Sequence, residues 1–224
     1  MFTPKIPMLK NGSKYLQPSP TRKIYWKGFY LSNPLTNGNS KLGKDVLCFD
    51  LLAVRTCPNC KDCQKKCYAR RGEAYRPTVH DKHALNTMLA VHDMDFLFAL
   101  ITEQLHRTKK KIVRIHSSGD FFSQKYLEMW CHIAQLFPEI KFYGYTKTRE
   151  IFDFWWADEL PNLNIVDSLL PDGSVNFGSL DYIKEKQEKF YLCICPVTCG
   201  IEDAECMRTC TNCLTERWML FKEH

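Results

Sequence analysis

Residues 46–71 read VLCFDLLAVRTCPNCKDCQKKCYARR. The opening VLCFDLLAV (46–54) is an apolar run rich in strand formers. It leads directly into four cysteines, Cys57, Cys60, Cys63 and Cys67. The elements C-terminal to this strand and its loop decide the fold.

From Val79 to Arg107, apolar positions recur as Leu85, Met88, Leu89, His92, Phe96, Leu97, Leu100, Ile101 and Leu105. That spacing predicts one long amphipathic helix. KIVRIHSS (111–118) reads as a strand, and Ser123 is placed to cap a helix through Tyr126, Leu127, Trp130, Ile133 and Ala134. IKFYGYTK (140–147) is a third strand, followed by a short helix through IFDFWWADEL (151–160). LNIVDSLL (163–170) is a fourth strand, LDYIKEKQEK (180–189) a helix, and FYLCIC (190–195) a fifth strand.

Strands that alternate with helices imply parallel pairing and right-handed crossovers. The fold class predicted is α/β, a partial or full parallel βα-barrel, with a doubly wound open sheet as the alternative. In either architecture ligands sit at the carboxyl ends of the strands. The cysteine-rich loops are therefore expected at the strand C-terminal face. Residues 1–45 read as a basic, aromatic N-terminal arm or hairpin, and 46–224 as a single βα-barrel-like domain. Within the arm, KIYWKGFY (23–30) either packs its aromatics on the core or offers a base-stacking surface.

A chain of 224 residues with 45% apolar and 13% aromatic content can bury one sizeable core. No stretch approaches the roughly 18 apolar residues of a membrane span, and the N-terminus lacks the apolar run of a secretory signal. A cytoplasmic protein is expected. Twelve cysteines in that setting read as metal or redox chemistry rather than disulfides. The charge is uneven: the first 76 residues carry fifteen Lys and Arg against four Asp and Glu, or +11, where the whole chain is +6. Such asymmetry suggests nucleic acid or another anionic partner, or a solvated basic face.

Cys57-x2-Cys60-x2-Cys63-x3-Cys67 is the close-packed spacing that wraps an iron–sulfur cubane, with zinc as the alternative. Arg55, Lys61, Lys65, Lys66, Arg70 and Arg71 surround it and stabilise thiolates. A second set, Cys193, Cys195, Cys199, Cys206, Cys210 and Cys213, exceeds one four-ligand site. Its compact part is Cys206-x3-Cys210-x2-Cys213, with Cys195 as the fourth ligand and Cys193 or Cys199 as the substitute. Cys48 and Cys131 read as small core residues.

Polar groups close the predicted strands. HSSGD (116–120) ends the second, where Gly119 permits a tight turn. His116 is the candidate acid or base, Asp120 a partner for a ribose or amine, and Lys147 for a carboxylate or phosphate. Ser118, Gly119 and Tyr145 are candidates to face a bound cofactor. Each also has a structural reading, with His116 a core histidine and Asp120 a cap. His80, His83 and His92 read as packing and capping residues.

The CYA-ending cysteine loop, VRIHSSGDFFS, FYGYTKT and the C-terminal Cys-Pro with its cysteine-rich knot together resemble a family of phage-encoded proteins, gene product eighty-eight, across roughly residues 46–215. Its members look like relatives of the radical S-adenosylmethionine barrel enzymes. The resemblance implies an iron–sulfur βα-barrel with a cluster near the barrel mouth, in the host cytoplasm; the two cysteine sets would hold one or two clusters of the 4Fe-4S kind, and S-adenosylmethionine would be a cosubstrate only where one iron is left open. Those enzymes use Cys-x3-Cys-x2-Cys after the first strand; here Cys60-x2-Cys63-x3-Cys67 runs in reverse order. Four thiolates on one cluster would also close the iron that binds the cosubstrate. The functional expectation is a radical-SAM-like or redox iron–sulfur enzyme acting on nucleic acid or a nucleotide. The alternatives are a metal-stabilised nucleic-acid-binding module and an electron-transfer protein.

Overall fold

The structure is a computed structural model that describes residues 24–26, 29–31, 33–38, 42, 45–60, 63–170, 172–174, 176–190, 192–195 and 210–222. The first described elements are β1 (Ile24–Trp26) and β2 (Phe29–Leu31), paired antiparallel as Tyr25 opposite Tyr30. β3 (Thr36–Asn37) then pairs antiparallel with β4 (Val46–Phe49).

All four residues of β4 are buried. A continuous apolar run is what a strand covered on both faces requires. After it come α1 (Tyr68–Tyr75), α2 (Pro77–His92), α3 (Met94–Arg107), β5 (Ile112–Ile115), α4 (Gln124–Leu136), β6 (Lys141–Thr146), α5 (Trp155–Glu159) and β7 (Leu163–Asp167). β4, β5, β6 and β7 are parallel and adjacent in chain order, so the five-stranded sheet runs β3-β4-β5-β6-β7. Progression in chain order is the sense of a barrel wall, not of a sheet that reverses at a switch point. Among the described residues, however, the sheet does not close, and β3 and β7 are its two edges.

The C-terminal part adds β8 (Phe177–Gly178), α6 (Leu180–Phe190), β9 (Cys193–Ile194), a 3₁₀ turn over Asn212–Leu214 and β10 (Met219–Lys222). β10 lies between β8 and β9, parallel to both. A single bridge from Asp167 to Trp218 joins this small sheet to the edge of β7.

Strand alternation divides the core. Leu47, Phe49, Val113, Ile115, Phe142, Leu163 and Ile165 face the helices and meet Leu97, Ile101, Trp130 and Ile133. Val46, Cys48, Tyr143 and Val166 face the other way, where they pack with Cys195, Cys213 and Met219.

Two expected elements come out differently. The long helix of 79–107 is two helices broken at Asp93, whose φ of −153° and ψ of 62° leave helical space. The Asp93 N–H closes α2 on Leu89 O, and its carbonyl starts α3 by accepting from Leu97. Asp favours such half-helical positions over helix interiors. Nor is α2 an amphipathic surface helix, since His80, Asp81, Lys82, His83, Asn86 and Thr87 are buried along with its leucines. The expected strand 190–195 contracts to Cys193–Ile194, because α6 runs through Phe190.

Gly119 sits at a packed turn, with φ of +91° and a would-be Cβ 2.7 Å from both Leu51 Cβ and Thr56 Oγ1. Gly119→Ala combines backbone strain with overpacking, and is expected to cost about 2–4 kcal/mol. A urea-unfolding midpoint unchanged from the parent would show that the turn is not so constrained.

Candidate site at the carboxyl ends of the strands

The strand ends are tied by a carboxylate. After β5 the chain turns at His116, which adopts the left-handed φ of 66°. The next two amides, of Ser117 and Ser118, both donate to Asp50 Oδ1, at 2.6 and 2.9 Å. Leu51 N–H returns to Ser118 O at 2.9 Å. Val54, a β-branched residue, also has φ of 66°. Left-handed backbone at such a residue is uncommon and collects near functional sites.

Behind this lock lies a buried polar network. Glu73 Oε1 accepts from Ala53 N–H at 2.9 Å and Ser118 Oγ at 3.1 Å, and lies 2.7 Å from His83 Nδ1. Burial pushes the Glu73 carboxyl up, but its bonds to His83, Ala53 and Ser118 outweigh this and hold it below its ordinary value. Thr87 Oγ1 accepts from Leu52 N–H, and Asn86 Nδ2 donates to Asp50 O and Pro34 O. The buried polar face of α2 thus holds the 50–54 segment in place.

Asp120 reaches across to the end of β6. Its Oδ1 accepts from Phe121 N–H at 2.7 Å and Thr146 Oγ1 at 2.8 Å, and its Oδ2 from Lys147 N–H at 3.0 Å. Burial raises its pKa to about 6, partly offset by these bonds.

The cysteine loop hangs over these strand ends. Asn59 Nδ2 donates to Lys147 O at 3.0 Å. Within the loop, Val54 O accepts from Cys57 N–H and the Cys60 thiol, and Cys67 Sγ caps α1 by accepting from Arg70 N–H at 3.5 Å. All four cysteines are free and partly exposed. Burial, the Asp120 carboxylate, Cys60 and Cys63 push the Cys57 thiol well up, against a backbone hydrogen bond at Val54. Burial and the neighbouring Cys63 and Cys67 raise Cys60, with Lys147 acting the other way. The donor set suits a thiophilic metal, which would replace thiol protons and relieve this crowding. Among the described residues, no three His, Cys, Asp or Glu side chains are gathered closely enough to hold an ion.

The second set lies on the sheet face opposite the helices. Cys195 and Cys213 are buried there, with Cys193 packed against them. Cys193 interacts electrostatically with Cys210 and Cys195, and its Sγ accepts from Asn212 Nδ2 at 3.2 Å. Cys206 and Cys199 lie outside the described residues.

The expected site residues therefore separate into three groups. Asp120, Lys147, Gly119, Cys57 and Cys60 gather at the strand ends, with Ser118 just beneath in the Glu73 network. Tyr145 instead points to the opposite face, where its hydroxyl donates to Cys213 Sγ at 2.8 Å. His116 is turned by its backbone into the helix-side core, between Phe121 and Tyr126, with Nε2 2.8 Å from the Tyr126 hydroxyl. Burial and Arg114 lower its pKa to about 3, so it is neutral at ordinary pH. Asp50 and Glu73 escaped the sequence reading, although an acid directly after a buried strand, as in VLCFD, is a usable signal.

Folding raises the Asp120 pKa, so its protonation contributes stability that is present at low pH and lost as pH rises through about 6. Asp120→Ala leaves three donors without their acceptor and is expected to cost about 2–4 kcal/mol. That penalty should grow by about 1 kcal/mol from pH 7 to pH 5. Denaturant melts of parent and variant at both pH values test this, and a penalty that shrinks on acidification would contradict it.

Two curated relatives are similar to this chain: the "Gene 88 protein" of Mycobacterium phage D29 and that of Mycobacterium phage L5. Each is 29% identical over 127 residues, covering 52% of this chain and 53% of the relative. The chain thus spans about half the length of the curated relatives it matches. No solved structure matches it. None of the described helices is long and apolar enough to cross a membrane. A family model described as "Gene product 88" matches residues 32–192, from before β3 to the start of the last cysteine segment, and the chain belongs to that family.

Proposed function

We propose that this protein is an iron–sulfur protein whose first cysteine loop holds a cluster over the strand ends and carries out redox or radical chemistry there. One observation carries the reading: Cys57 and Cys60 lie within electrostatic reach of Asp120 and Lys147, at the place where α/β folds bind ligands. Cys60, Cys63 and Cys67 form the outer part of the loop, while Cys57 sits more deeply beside Asp120. A cluster held by the outer three would keep one iron open for a ligand such as S-adenosylmethionine; Cys57 as fourth ligand would close it. The barrel-like order of β4 to β7 is compatible with a partial βα-barrel. The basic first third of the chain supports a nucleic acid or nucleotide as substrate.

For the second set, a structural zinc is favoured by one feature. Cys193-x-Cys195 and Cys210-x2-Cys213 are two pairs from separate segments, the arrangement of closed zinc sites. Tyr145 and Asn164 tie that segment to the sheet, Asn164 Nδ2 donating to Cys213 O and Glu216 O at 2.9 Å each.

Anaerobic purification followed by iron, zinc and acid-labile sulfide assays tests both readings. One cubane and one structural zinc predict about four iron, four sulfide and one zinc per chain. Cys60→Ser with Cys63→Ser should abolish the iron and sulfide while leaving the zinc. Zinc in both sets with no sulfide would remove the redox reading, and about eight iron and eight sulfide would replace the zinc with a second cubane.

A further inference from the structure

We propose that Arg114 anchors an oxyanion-binding site on the sheet face opposite the helices, taking a phosphate or carboxylate group of a ligand. Arg114 lies in β5, with Cys48 of β4 and Tyr143 of β6 directly beside it in register. Alternation turns it away from the helices, since its neighbours Val113 and Ile115 both face them. Its Nε is fully enclosed and has no hydrogen-bond partner among the described residues.

The groups that act on the guanidinium most strongly are the Tyr68, Tyr143 and Tyr145 hydroxyls and the Cys48 thiol, with no carboxylate among them. Its one close ring contact among the described residues is Tyr145, whose centroid is 5.2 Å from Cζ. Among the described residues it also forms no salt bridge. A guanidinium cannot deprotonate to escape burial; the hydroxyls and the thiol around it favour its charge against the cost of burial, but none of them is a carboxylate counter-ion. The planar fork matches an oxyanion bidentately, which is the interaction that would compensate it.

Access and position fit the same role. Arg114 keeps part of its surface exposed. Tyr68, directly after Cys67, donates its hydroxyl to Ser117 O and so stretches from the cysteine loop to the rim of this face. An anion held at Arg114 would lie beneath the start of α1, next to the loop. Neither Arg114 nor the groups around it need metal in either cysteine set.

The test compares the parent with Arg114→Met and Arg114→Lys. Thermal unfolding is followed in millimolar inorganic phosphate, in acetate, and in chloride of equal ionic strength. The parent should melt higher in phosphate or acetate than in chloride, and whichever protects more identifies the phosphate or carboxylate source. Arg114→Met should lose that protection, while the apolar side chain keeps contact with the Tyr145 ring that the guanidinium covers. Arg114→Lys, with charge but no fork, should retain only part of it. Calorimetric titration with the protecting anion should show affinity falling about tenfold or more in Arg114→Met. Two results would overturn the proposal. One is a parent that neither anion protects beyond chloride. The other is an Arg114→Met protein that the anion protects as strongly as it protects the parent. Metal content does not enter this readout, so its failure would leave the cluster reading standing.

Discussion

Two backbone amides, of Ser117 and Ser118, converge on one oxygen of Asp50 because the chain at His116 takes a left-handed turn. Each donor would otherwise face a poorly hydrated interior, where an unpaired amide is expensive. The carboxylate extends the β4–β5 pairing beyond the last ladder residues, with His116 N–H on Phe49 O and Leu51 N–H on Ser118 O. The neighbouring contacts depend on this clamp. Gly119 can nest against Leu51 and Thr56 only because those segments are held together, and Asp120 then reaches the end of β6.

Covering the sheet differently on its two faces separates the chemistry. The helix side is a dry packing surface of Leu, Ile, Phe and Trp, and it absorbs even His116. The opposite face carries Cys48, Arg114, Tyr143 and Tyr145, and it is roofed by the second cysteine segment. The first cysteine loop occupies neither face and sits on the strand ends, anchored to β6 through Asn59. Tyr68 reaches toward this face from the first cysteine loop, and Tyr145 and Asn164 bond the second cysteine segment to it.

Much of this was legible in the chain. The period-two runs 111–118, 140–147 and 163–170 each contain an observed strand, and the run VLCFDLLAV (46–54) contains β4, although the strand stops at Phe49 and the rest of the run is loop. Periodicity failed where a polar residue did structural work. Asp93 fits the helical spacing on either side, yet it breaks the helix through its own backbone. The pattern of α2 conceals that its polar residues are buried hydrogen-bonders for the 50–54 loop. β8, β9 and β10 are two to four residues long and are made by tertiary pairing with one another. Residue type named the site's components, but not their partition. Tyr145 and Lys147 are two residues apart, so strand alternation alone would put them on one face; β6 ends at Thr146, and the turn there sends them to different places.

The close seat of Gly119 against Leu51 and Thr56 also has a bearing on biosynthesis. The cysteine loop is made well before Gly119 and Asp120, and well before the β6 end that Asn59 grips. During synthesis the four thiols therefore leave the ribosome on a segment whose shape depends on residues still to come. A chain interrupted between Cys67 and Asp120 therefore presents its thiols with neither the turn at Gly119 nor the Lys147 carbonyl that Asn59 grips.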